Sequence, residues 1–298
     1  MRHSPYLLAI AAASLLCATA CDASPPKPAK PATRPIASDP QVEALRETLG
    51  RSVLDTPGLV LPDDHDALDA ALARGDWGYL SQAVRNPGSA ENMMRLANWE
   101  RYQTYRGGGY NVAYMYVSTL TMAANSYDKA AARDPSFAPM ANGMRRGALA
   151  QLLYTYAVLS VDGVRCADPT APQAHRDQIS SFTQELNRST DALSIPERLG
   201  AIEAAIRQER QLAPVRDLDP ALCRGGVAEL TEALAAQPGR TTTTGPQPGY
   251  PGTNVMVPID PNRPPAYSDS AQWPARQQAV RDGLLDQLAG VIGMSRKK

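Results

Sequence analysis

Asp63-Asp64-His65-Asp66 is the densest cluster of potential metal ligands in the chain. A metal needs side chains that converge, whereas consecutive residues on a helix diverge by about 100° each. The same four residues suit the first turn of a helix, where the positive end of the helix dipole favours acids. No metal and no other cofactor is expected from them. His175 is the next candidate for chemistry, and Cys166 precedes it closely enough to suggest a thiol–imidazole pair. A cysteine with a disulfide partner available is a poor nucleophile, however. Cys223 supplies such a partner. Glu100 is a third candidate for chemistry.

Arg106-Gly107-Gly108-Gly109 lacks the Gly-Lys-Ser/Thr ending of a phosphate loop. It reads as a helix stop followed by a turn. It could also let a ligand approach the backbone closely, because glycine presents no Cβ. Tyr110 follows directly. Arg145 and Arg146 lie further along the same apolar region, and two readings stay open for them. Paired with Glu100 or another acid they are structural; unpaired in a groove they would recognise anions. Arg106, Gly107, Gly108, Gly109, Tyr110, Arg145 and Arg146 are therefore the candidate binding surface. No nucleophile–base constellation appears, so no catalytic residue is assigned. His175-Arg176-Asp177 has the letters of a kinase catalytic loop, but no glycine-rich nucleotide loop accompanies it.

These residues sit on a chain whose ends have their own logic. Arg2 is followed by Leu7–Leu16, an apolar run of ten residues. That is too short to span a bilayer as a helix, which needs about 20, and it has the plan of an export signal over residues 1–20. Ala18-Thr19-Ala20-Cys21 follows. It resembles the lipobox of bacterial lipoproteins, although Ala18 stands where a larger aliphatic residue is usual. The resemblance implies lipidation of Cys21, attachment to a membrane and a position in the cell envelope facing the periplasm. Ordinary secretion with cleavage after Ala20 is the alternative. Asp22 resembles an inner-membrane retention signal in some bacteria, so the choice between inner and outer membrane stays open. Of the four cysteines, Cys17 leaves with the signal. Lipidation of Cys21 would leave Cys166 and Cys223 to pair in an oxidising compartment.

Residues 21–38 read as the lipidated cysteine and a proline-rich tether, with Pro25, Pro26, Pro28, Pro31 and Pro35 favouring extended chain. Residues 39–236 read as a helical domain. Helices are expected from Asp39-Pro40 to Leu54, from Asp63 to Arg74, from Asp76 to before Asn86, and from Ser89 to Gly107. Two long apolar helices, Asn111–Arg133 and Ala138–Val161, would fold back on each other about Asp134-Pro135-Ser136. Further helices are expected over Pro172–Asn187, after the capping box Ser194-Ile195-Pro196-Glu197, and after Asp219-Pro220. No convincing strand is found. Residues 237–272, with Arg240-Thr241-Thr242-Thr243-Thr244-Gly245-Pro246, read as a disordered linker. Residues 273–298 read as an amphipathic helix and a basic end. Val280, Leu284, Leu288 and Val291 share one face of that helix, and Arg281 lies elsewhere. Docking on its own domain, a partner groove and a membrane surface are all open to it. The fold class is all-α: a single multi-helix domain of antiparallel helices around a buried central hairpin.

Tyr127-Asp128-Lys129-Ala130 followed by Asp134-Pro135 resembles the end of a tetratricopeptide repeat. A shift of 34 residues, the length of that repeat, aligns Ser126 with Ser160, Asp128 with Asp162, Asp134 with Asp168 and Pro135 with Pro169. No third copy appears. The resemblance implies a surface for peptide binding or scaffolding.

Lysine plus arginine balances aspartate plus glutamate, 30 against 30. Such a chain has no global field for steering nucleic acid, so that partner is not expected. The expected function is a non-catalytic lipoprotein of the cell envelope that binds or scaffolds a protein, as an assembly accessory or a toxin immunity protein. The alternative is a periplasmic enzyme acting on cell-wall material through Asp63–Asp66, Glu100 or His175.

Overall fold

The computed structural model describes residues 39–191, 193–236, 242–244, 254–257, 259–260 and 263–294, without the side chains of 181–189 and of two short strands. The export signal, Cys21, the tether and the basic end at 295–298 lie outside these residues. Among the described residues the chain is all-α, with helices α1 (Pro40–Leu54), α2 (His65–Arg74), α3 (Trp77–Arg85), α4 (Ala90–Tyr105), α5 (Tyr110–Ala131), α6 (Ala138–Gly163), α7 (Thr170–Thr190), α8 (Ile195–Leu212), α9 (Val227–Ala236) and α10 (Trp273–Val291). None of them is long and apolar enough to cross a membrane.

Local chemistry explains most of the helix starts. Asp39 accepts the Gln41 N–H at 2.9 Å ahead of Pro40, Asp76 accepts from Tyr79 N at 3.0 Å, and Ser89 accepts from Asn92 N at 3.0 Å. Each satisfies an amide that a helix start leaves without a partner. At α8 the Glu197 carboxylate takes the Ser194 N–H at 2.8 Å, as its capping box requires. At α2 the expected start moves. Asp63 is drawn to Arg95, 2.8 Å away on α4, and the helix opens at His65 instead.

Helix α6 is the axis of the fold. From Ala148 to Gly163 it is buried at every position except Ala150, which is half-buried. A helix hidden on all sides needs neighbours on all sides, and α5, α7, α8 and α10 all pack on it. Helices α5 and α6 are joined by a 3-10 turn, Pro135–Phe137, and form the most extensive pair. Their contacts run in opposite order: Asp128 meets Arg145, Leu120 lies over Gly147, and Tyr114 neighbours Tyr156. Helix α8 runs beside α6 in the same direction, with Arg146 near Glu197 and Gln151 near Gln208. The packing is therefore antiparallel in the hairpin and parallel between α6 and α8. A second, smaller core joins α2, α3, α4 and α5 around Leu68, Leu80, Leu96 and Trp99.

Three expectations change. The helix expected from Asp219 is broken in two, a 3-10 turn Pro220–Cys223 and then α9. Gly225, at φ 73°, takes the left-handed conformation that separates them. Within the segment read as a disordered linker, Thr242–Thr244 (β1) pairs antiparallel with Asn254–Met256 (β2). Such a short ribbon leaves the all-α class unchanged. The end of the same segment, residues 263–272, is a strap on the body. Ala167 N donates to Ala266 O at 3.0 Å, Ser268 N donates to Arg165 O at 2.8 Å, and Tyr267 forms an isolated antiparallel bridge with Cys166.

Helix α10 belongs to the domain and not to a tail. Leu284, Leu288 and Ile292 are buried in the main core, and α10 packs on α6 and α8. Leu285, beside them in sequence, is 48% exposed. Replacing Leu288 by Ala should remove about 2–5 kcal/mol of stability through lost burial and a residual cavity. Leu285→Ala should stay within about 0.5 kcal/mol of the parent. Urea denaturation of the two variants measures the difference, and equal losses would mean that α10 is not seated as described.

Candidate functional site

The candidate binding surface read from the sequence comprises seven residues on or beside the α5–α6 hairpin. The structure places Arg106, Gly107, Gly108, Gly109 and Tyr110 at one end, with Arg145 and Arg146 at the other. Antiparallel helices separate Tyr110 from the Arg145 region by about 27 Å along the hairpin, at 1.5 Å per residue. The seven residues do not form one surface.

At the first end, the close approach that the glycines permit is made by the chain itself. A Cβ on Gly107 would lie 2.0 Å from the Val215 carbonyl oxygen, and its φ is +100°. Asp217 N donates to Gly107 O at 3.0 Å, and Arg46 Nε, from α1, reaches Val215 O at 2.9 Å. Arg106 lies over the Tyr102 ring, 5.4 Å from its centroid. Tyr110 is buried, and its hydroxyl is 3.1 Å from His175 Nδ1. His175 Nε2 is 2.9 Å from the Ala221 carbonyl. Asn111 donates to Asp219 at 3.0 Å. Burial is the main cause that lowers the His175 pKa, and burial likewise raises that of Asp219.

At the other end, Arg145 pairs with Asp128 and donates to Asn142 at 2.7 Å. Arg146 lies 3.5 Å from Glu197. The structural reading of this arginine pair holds, with Asp128 in the place suggested for Glu100.

The residues considered for catalysis are apart. Asp63 pairs with Arg95, and His65 Nδ1 faces the Pro62 carbonyl at 3.0 Å. Among the described residues no group of three or more His, Cys, Asp or Glu could hold a metal ion. Glu100 is wholly buried between α4 and α5. One carboxyl oxygen accepts from Thr119 Oγ1 at 2.9 Å, and the other has no hydrogen-bond partner. Burial drives its pKa well above the usual carboxylate range, against the Thr119 bond. His175 belongs to a third region. Two shallow, open depressions of about 490 and 520 Å³ are lined by Arg210, Pro214, Gln278 and Arg281, and by residues 85–90 with Met93, Met122 and Ser126. None of the residues considered for catalysis lines either one.

Cys166 and Cys223 form the expected disulfide, with Cα atoms 5.0 Å apart. It ties the loop after α6 to the 3-10 turn ahead of α9. Asp168 in that loop caps two helices. Its carboxylate accepts from Thr170 N at 2.9 Å for α7 and from Ala228 N at 2.9 Å for α9. Burial opposes its ionisation, but the bonds from Thr170 and Ala228 outweigh this and hold its pKa below the ordinary value. Gly226 is required beside it, since a Cβ there would meet the Asp168 carboxylate at 2.3 Å.

Sequence reasoning missed a buried ion network. Arg216 donates to Asp162 through Nε at 2.6 Å and Nη2 at 3.2 Å, and to Glu209 at 3.1 Å. Arg281, read as part of the outer face of α10, turns inward and donates to Glu209 at 3.0 and 2.9 Å. Burial weighs against the Arg216 charge, but Asp162 and Glu209 raise its pKa and keep it charged. Asp162 at the end of an apolar run was the one available signal, and nothing local announced its partners.

Arg216→Met should cost about 3–5 kcal/mol, because it takes the close partner from buried Asp162, leaving Arg165 at 3.8 Å, and one of two guanidinium partners from Glu209. Calorimetry checks this, and a loss below 1 kcal/mol would contradict the network. Glu100→Gln tests the buried acid. The folded-state pKa of Glu100 is raised above its unfolded value. Its folded form therefore loses relative stability as pH rises past the unfolded carboxylate range and regains it on acidification. The variant should melt at or above the parent at pH 7.5, with the gap closing toward pH 5. A parent that melts higher at pH 7.5, with the gap widening on acidification, would refute the assignment. Comparison with known proteins found no matching family model, no similar curated protein and no similar solved structure.

Proposed function

We propose that this chain is a lipid-anchored protein of the bacterial cell envelope whose folded domain binds another protein and performs no chemistry of its own. The observation that carries the reading is how the domain spends its side chains. Polar groups that could serve chemistry are committed internally or isolated from one another, as at Tyr110–His175 and Glu100. Large apolar side chains are left outside. Ile195 is 65% exposed and Leu199 43%, one helical turn apart at the start of α8. Exposed apolar side chains grouped on a polar surface are the ordinary mark of a protein-contact site.

The anchoring part rests on the apolar run Leu7–Leu16, on Cys21 and on the proline-rich residues that follow it. The disulfide is consistent with an oxidising compartment. An assembly accessory and a toxin immunity protein are both compatible with this reading, and the neighbouring genes would separate them.

Two measurements test the proposal. Intact mass of the protein from a membrane fraction should show cleavage before Cys21, added acyl mass and two hydrogens fewer for the disulfide. An unmodified N-terminus would overturn the anchor. After gentle detergent extraction, a partner should co-purify with the parent, and the pair Ile195→Asp and Leu199→Asp should reduce recovery at least tenfold while leaving the melting temperature within a few degrees. Undiminished recovery would remove this face as the contact.

A further inference from the structure

We propose that the depression between the end of α8 and the first half of α10 binds a small oxyanion, a phosphate or a carboxylate. Arg210, Ala213, Pro214, Gln278 and Arg281 line it, and its volume is about 490 Å³. A water takes about 30 Å³ of the liquid, so such an anion enters with part of its hydration shell. The two arginines come from different helices, and the packing of α10 on α8 brings them to one place.

Arg281 is the fixed member of the pair. Its Nε and Nη2 donate to Glu209 at 3.0 and 2.9 Å. Glu209 is wholly buried and is held from the inner side by Arg216 at 3.1 Å. A guanidinium also donates through its second Nη group. In Arg281 that group, Nη1, donates to no protein acceptor among the described residues. The side chain is 18% exposed, and the depression is where it meets water. A donor edge set in place before a ligand arrives loses little freedom on binding. Arg210 is the free member. It is exposed, and among the described residues its side chain makes no ion pair and no hydrogen bond. Gln278 gives one amide hydrogen to Asp282 at 2.7 Å and keeps the other for the depression.

The local charges decide the sign of the ligand. Glu209 is shared between two guanidiniums, so it compensates Arg281 only in part. Arg210 has no carboxylate at all. Two groups oppose an anion. Asp282 is exposed and engaged by Gln278, where water and salt screen its charge. The carbonyl end of α8 carries about half a negative charge, which is less than the one guanidinium of Arg210. The site lies at the far end of α8 from Ile195 and Leu199, so its test stands apart from that of the partner-binding face.

The test uses the intact, disulfide-bonded chain, titrated with sodium phosphate, sodium acetate and sodium chloride at matched ionic strength. The backbone amides of Arg210, Gln278 and Arg281 are followed by NMR at pH 7.0. They should shift together along one saturable curve in phosphate or acetate, and not in chloride. The tighter of the two curves names the preferred oxyanion. Arg210→Gln removes a side chain with no protein partner, so it should weaken binding at least fivefold and leave the melting temperature unchanged. The same drift in all three salts, or an unchanged curve in Arg210→Gln, would overturn the site.

Discussion

The buried charges at Asp162, Arg216, Glu209 and Arg281 hold the domain to one arrangement. They sit where α6, the end of α8, the segment after it and α10 meet. Each carboxylate is matched by guanidinium N–H groups, so no member of the network is left as a bare charge. Burying two acids and a nearly enclosed arginine is tolerable only when all of them arrive together. A misplaced α10 would remove Arg281 from Glu209, and a shifted α8 would separate Glu209 from Arg216. Apolar burial around α6 supplies most of the driving force, but apolar surfaces can slide. The charges fix the register at which they stop.

A second group of interactions makes a rigid end to the molecule out of irregular chain. The disulfide, the double cap at Asp168 and the Arg224 contacts all converge on the loop after α6 and the turn before α9. Without them this end would hold several short segments with little core of their own. In the chain-entropy model a cross-link across 57 positions contributes about 4 kcal/mol, which is comparable with the whole stability margin of many domains. The strap then closes over this end, with Arg165 over the Trp273 ring.

The functional reading follows from how these devices use up side chains. Arginines and acids that would draw attention as a binding groove are spent on register and on loop closure. Glycines that could have welcomed a ligand instead admit Val215. What remains for a partner is the apolar surface at the start of α8, Ile195 and Leu199, away from the welded end.

Helix positions were largely legible from residues alone. Caps at Asp39, Asp76, Ser89 and Ser194, and the apolar circumference of the central pair, act within a few residues, so a local reading finds them. The Cys166–Cys223 pair was legible for a different reason: these are the two cysteines that fall within the helical domain. The candidate surface was legible only as single residues, because their grouping required knowing which hairpin end each occupies. The strap, the broken ninth helix, the docking of α10 and the ion network came from tertiary structure. Arg281 on an amphipathic helix looks the same in sequence whether it faces water or Glu209, 72 positions away. Short-range periodicity and capping determined the elements of this protein. Only packing decided which charges would be taken out of water and which apolar groups would stay in it.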